Sequence, residues 1–129
     1  LPTGWVVQTR AEDRGSYIES VWRSPTNRDT TLLVDHTPGY DGSPESGART
    51  VRAMTSRSED YREVAFGPTR LDGRSAWRWE FEVGGVRKVD YFLVACGTGY
   101  AILGAAPPST FSKHSDDFRR AAASLRPRC

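Results

Sequence analysis

The sequence predicts an α+β domain, a mainly antiparallel β-sheet covered by helices on its faces. Three observations carry this. Short Gly-containing turns separate long strand-like runs between Tyr61 and Ala106. One of those runs alternates: Trp77, Trp79, Phe81 and Val83 share one face, and Arg78, Glu80 and Glu82 the other. The runs Tyr91 to Ala95 and Tyr100 to Leu103 are instead apolar on both faces, so both sides of the sheet need a cover there. Two helical segments, one before the hairpins and one after, are available to supply it.

Leu1-Pro2-Thr3-Gly4-Trp5 reads as a turn into a short strand, Trp5 to Thr9, followed by a polar stretch from Arg10 to Ser16. Tyr17 to Arg23 is a strand of aromatic and β-branched residues, Ser24 to Asp29 a turn, and Thr30 to Thr37 a third strand. Pro38 to Gly42 breaks the chain. Ser43 then offers an N-cap, with Pro44 in the first turn and Glu45 complementing the helix dipole. Ala48, Val51 and Met54 give that helix a thin apolar stripe as far as about Ser58, enough to lie on the sheet as a cover. Strands follow at Tyr61 to Leu71, Arg74 to Val83 and Val86 to Cys96, with Asp72-Gly73 and Gly84-Gly85 as hairpin turns. Gly97-Thr98-Gly99 turns into Tyr100 to Ala106. Pro107-Pro108 stops the sheet, and Ser109 or Thr110 caps a last helix carrying Phe111, Phe118, Ala122 and Leu125.

Residues 1–129 are enough for one domain and too few for two. Hydrophobic residues make up 37% and charged residues 26%, as in an ordinary globular chain. No apolar run approaches the ~20 residues of a membrane helix, and the start does not read as a signal peptide. Any membrane attachment is expected through a tether outside these residues. The net charge is only +2, with no stripe of one sign, which argues against nucleic acid as a partner.

Cys96 ends a strand and Cys129 is the last residue. A strand of seven residues advances roughly 23 Å, and some 16 helical residues return roughly 24 Å, bringing the chain end back toward Cys96. A Cys96–Cys129 disulfide is therefore expected, and with it an oxidising setting outside the cytoplasm. The alternative is a buried free Cys96 and a flexible tail.

Catalytic motifs are scarce. His36 has Asp35 beside it, yet no Gly-x-Ser-x-Gly elbow supplies a nucleophile. His114 near Ser115, Asp116 and Asp117 lacks the ligand spacing of a metal site, and neither metal nor cofactor is expected. With Gly84-Gly85 as the turn, Glu82 pairs with Arg87, Trp79 with Asp90 and Trp77 with Phe92. Indole facing carboxylate, with Lys88 nearby, could form a small recognition site. The plainer reading is a Trp N–H satisfied by Asp90 at the edge of the core, beside a rim salt bridge.

Several stretches together resemble a known family. They are Leu1 to Trp5, Thr31 to Pro38, Gly73 to Phe81, Val89 to Phe92, Gly99 to Ile102 and Phe118 to Pro127. The chain looks like the extracytoplasmic C-terminal domains of actinobacterial membrane Ser/Thr protein kinases and related secreted lipoproteins. The resemblance implies the PsbP-like α/β/α sandwich fold and a non-catalytic sensor or interaction domain, the outer part of a membrane-anchored kinase, with an extracellular ligand or protein as its partner. It departs from the family in beginning at the turn where a further strand usually precedes. Candidate binding positions are Trp79, Lys88 and Asp90 at the hairpin end, then the Pro38 to Pro44 loop, with Asp35 and His36 as further candidates. The alternatives are a small secreted hydrolase using Asp35 and His36, or a free-standing surface lipoprotein.

Overall fold

The computed structural model describes residues 5–13, 15, 17–127 and 129. Its elements in chain order are β1 (Val6–Asp13), β2 (Ile18–Arg23), β3 (Thr31–Pro38), α1 (Pro44–Thr55), β4 (Arg62–Leu71), β5 (Arg74–Val83), β6 (Val86–Ala95), β7 (Thr98–Ala106) and α2 (Phe111–Ala123). The strands form one seven-stranded sheet in the order β1-β2-β3-β7-β6-β5-β4. Every neighbouring pair is antiparallel. Two meanders, β1-β2-β3 and β4-β5-β6-β7, thus meet at a single seam between β3 and β7. The helix α1 carries the chain from the first meander to the far edge of the second.

Three hairpin turns set the register of the second meander. Asp72 and Gly73 have φ of 52° and 78°, Gly84 and Gly85 62° and 75°, and Cys96 and Gly97 53° and 75°. Two successive left-handed residues match the right-handed twist of the flanking strands. The last of these corrects the sequence reading. The turn is Cys96-Gly97, not Gly97-Thr98-Gly99, and pairing resumes at once with Ala95 opposite Thr98. The first strand also runs further than expected, to Asp13, although Arg10 to Asp13 looked like loop. Its pairing to β2 is broken by register shifts between Val7 and Thr9 and between Thr9 and Glu12, so main-chain bonds hold a strand with no regular alternation. The turn expected over Leu1 to Trp5 lies, apart from Trp5, outside the described residues.

Each helix buries one core layer. On one face α2 sets Phe111, Phe118, Ala121 and Ala122 against Leu32, Leu71, Val89, Tyr91 and Ile102, with Trp5 and Trp22 half-buried at its side. Gly104 of β7 makes this possible, because a Cβ there would overlap the Phe118 ring. On the other face α1 sets Ala48 and Val51 against Trp79, Phe81 and Phe92. Ser43 caps α1 as expected: its side chain accepts from the Ser46 N–H at 3.0 Å while Ser46 Oγ accepts from the Ser43 N–H at 2.9 Å. The other helix starts at Thr110, whose side chain makes no capping bond.

Beyond α2 the chain turns back to the sheet, and Cys129 is bonded to Cys96 with Cα atoms 5.1 Å apart. The expected disulfide is present. It ties the end of the chain to the β6–β7 turn across 33 residues of sequence.

Candidate ligand cleft

The α1 face of the sheet is best described in rows that cross the strands. One row runs Val21, Leu33, Leu103, Asp90, Trp79, Phe66, and the next runs Glu19, Asp35, Ala101, Phe92, Trp77, Pro68. The helix lies over the β5 and β6 end of these rows, where Trp79 is fully buried. At its β7 and β3 side, where the sheet continues without it, a cleft of about 430 Å³ opens between helix and strands. Phe92, Ala101, Asp35 and Thr37 reach it from the sheet, Val51, Thr50 and Met54 from the helix, and Tyr17 and Tyr40 from the loops. Met54, 59% exposed, stands on this side of α1.

Tyr40 closes one end. Its hydroxyl is 2.6 Å from Ser46 Oγ and donates to the Ser43 carbonyl at 3.3 Å, tying the loop to the first turn of α1. Its ring lies on Gly99 of β7, where even a methyl would sit 3.1 Å away. The loop between β3 and α1 is thus fixed at both ends of the tyrosine.

The residues singled out in the sequence are dispersed by the fold. Trp79 pairs with Asp90, Trp77 with Phe92 and Glu82 with Arg87, as the turn register predicts. The exposed hairpin-end surface expected around Trp79, Lys88 and Asp90 is not there, however. Trp79 is fully buried and Asp90 6% exposed, because α1 lies over this stretch; the hairpin tip is Gly84-Gly85, well along the strand. Nor does the Trp79 indole bond to Asp90. Its Nε1 donates to the Tyr61 hydroxyl at 3.0 Å, leaving Asp90 Oδ1 buried with no hydrogen-bond partner among the described residues. Lys88 is half-buried in the neighbouring row, opposite Phe81 and Ala105.

Asp35 and His36 are consecutive in a strand and so point to opposite faces. Asp35 faces α1 and lines the cleft, whereas His36 pairs with Tyr100, whose ring centroid is 6.4 Å from its own, on the α2 face. The hydrolase reading thus loses the acid–base pair it was built on. His114 has its Nδ1 4.0 Å from Asp117, and among the described residues no group of three His, Cys, Asp or Glu side chains could hold a metal.

The electrostatics of the α1 face centre on two acids. Burial pushes the Asp90 carboxyl up to about 8, the negative charge of Asp35 pushes in the same direction, and Lys88 opposes both. Asp90 therefore holds a proton at neutral pH. The α2 face is different. There Glu80 lies between Arg78 and Arg87, accepting at 2.5 Å from Arg78 and also from Arg87. Burial alone would raise the Glu80 carboxyl, but the hydrogen bonds from Arg87 and Arg78 outweigh it and hold it below the usual carboxylate range. Arg87 also reaches Glu82 at 3.3 Å, so two arginines face two carboxylates and the charges balance.

No protein-family model matches the sequence, and no curated protein matches it either. The folded chain, by contrast, is similar to solved structures. Against the solution structure of cyanobacterial PsbP (CyanoP) from Synechocystis the TM-score is 0.72, at 15% identity, covering 99% of this chain and 84% of that one. Against a Pseudomonas aeruginosa protein of unknown function it is 0.65, at 12% identity, covering 100% and 90%. At such identities the likeness is one of architecture, and the chain has the PsbP-like α+β fold.

Proposed function

We propose that this chain is a non-catalytic binding domain working outside the cytoplasm, a sensor or interaction module forming the outer part of a membrane-anchored Ser/Thr kinase. The observation that carries the binding role is the cleft beside α1. It is a concave, mostly apolar surface with few polar groups, of the kind that holds small molecules. The disulfide supports an oxidising compartment, since such bonds persist where thiols are not kept reduced. The kinase connection rests on the family resemblance of the motifs from Thr31 to Pro38 and from Gly73 to Phe81. No helix among the described residues is long and apolar enough to cross a membrane, so an anchor would come from elsewhere.

The test is cellular. In intact cells of the source organism, an added protease should remove the domain from the surface while a kinase domain of the same polypeptide stays protected inside. Denatured, unreduced protein taken from those cells should titrate no free thiol. A protease-resistant cytoplasmic chain with two free thiols would overturn the proposal.

A further inference from the structure

We propose that the cleft between α1 and strands β3, β7 and β6 binds a compact organic cation with an apolar body, an amine or quaternary ammonium on a hydrocarbon group, with Asp35 as its counter-ion. This deepens the binding role proposed above and rests on it. About 430 Å³ lies within the range of small-molecule sites. Among the described residues lining the cleft, Asp35 alone is charged, and its charge is negative. The rest of the lining offers what a hydrocarbon body and an onium head require: Val51, Met54 and Ala101 for the first, and the rings of Tyr17, Tyr40 and Phe92 for the second. Aromatic faces attract a desolvated cation through their quadrupole.

Charge complementarity selects against the other ligand classes. An anion placed here would meet Asp35 directly, with Asp90 in the next row. A neutral apolar molecule would fill the cleft and leave Asp35 without gain. A carboxylate has about four lone-pair positions, so a cation can add to whatever other bonds Asp35 makes. One of its oxygens is already withdrawn from solvent, which strengthens its field at the cleft.

The test uses three probes of one shape: phenylbutylamine, phenylbutanol and phenylbutyrate, each titrated into the intact chain and followed by amide NMR shifts. The amine should move the signals of β3, β7 and α1 and bind about tenfold tighter than the alcohol, with the acid weakest. Asp35→Asn, nearly isosteric, should reduce the amine to the level of the alcohol while leaving the alcohol unchanged. Met54→Lys, on an exposed side chain, should weaken the amine several-fold without disturbing the fold. Equal affinity for amine and alcohol, or an amine titration unmoved by Asp35→Asn, overturns the proposal. Neither result touches the surface location or the thiol titration that test the broader role.

Discussion

Replacing Asp90 by asparagine should stabilise this protein, and only above mildly acidic pH. The carboxyl sits beneath α1 between Trp79 and Leu103, with Oδ1 lacking a partner among the described residues and Asp35 nearby. Its value is pushed from an ordinary 3.8 to about 8. Between those values the unfolded chain releases a proton that the folded chain retains. Stability present in acid is therefore lost as pH rises, and the loss is complete once pH passes the folded value. At about 1.4 kcal/mol per pH unit, the wild type should lose roughly 4–5 kcal/mol between about pH 4.5 and about pH 8. Asparagine has almost the same shape and no charge to bury. The two urea midpoints should lie close together in mild acid and separate steadily toward alkaline pH, with the mutant higher. Parallel curves over this range would refute the reasoning, because the fold would then tolerate a charged Asp90. The carboxyls of Glu80 and Glu63 do not blur the window. Both are held below the usual carboxylate range by arginine partners, so their contribution is lost only as pH falls below it.

Other substitutions probe separate parts of the frame. Cys129→Ser should cost on the order of 3–4 kcal/mol in denaturant unfolding, the chain-entropy value for a loop of this length, and leave one titratable thiol. Gly104→Ala should drive a methyl into the Phe118 ring, lift α2 and cost about 1–3 kcal/mol, read as a lowered urea midpoint with loss of near-UV signal. Glu80→Ala should leave Arg78 with only the Tyr91 hydroxyl and Arg87 with only Glu82 as hydrogen-bonding side chains among the described residues, both guanidinium groups about 30% exposed, and lower stability by about 1–3 kcal/mol; a change under about 0.5 kcal/mol would show that the Arg78–Glu80–Arg87 cluster is merely tolerated. Tyr61→Phe removes the acceptor of the buried Trp79 indole and should cost about 1–2 kcal/mol in the same measurement.

The second meander was legible in the sequence because two-residue turns leave little freedom. Once Asp72-Gly73 and Gly84-Gly85 are turns, every β5–β6 pair follows by counting, and every β4–β5 pair from Leu71–Arg74 to Ala65–Glu80, beyond which a register shift intervenes. Cys96-Gly97 escaped because cysteine is not a residue that signals a left-handed turn. The extent of β1 escaped because its bulged pairing leaves no period of two to detect. The site was harder. Alternation shows that Trp79 and Asp90 share a face, but not where along that face a helix with a three-residue apolar stripe will lie. That position decides whether the pair is surface or core. Asp35 drew attention through its sequence neighbour His36, which the strand sends to the opposite side. Its real companions, Tyr17, Tyr40 and Phe92, come from three separate stretches of chain. The Pro38 to Pro44 loop, named as a second place to look, does contribute Tyr40, though nothing local marked that ring as the one resting on Gly99.

The seam between β3 and β7 has a consequence for how this protein comes into being. Each meander consists of pairings between sequence neighbours and can form by local contacts, whereas the eight pairs from Thr31–Ala105 to Pro38–Thr98 join residues 60 to 74 positions apart. Closing so long a loop is the slow event in a chain of this topology. Because β7 is the last of the described strands in chain order, the two halves stay unjoined until it has been made. Asp35 belongs to one half and Ala101 to the other, so the cleft itself comes into existence only when the seam closes. A ligand held there would draw the final step of folding forward by mass action, making the newly completed domain and the occupied one the same event.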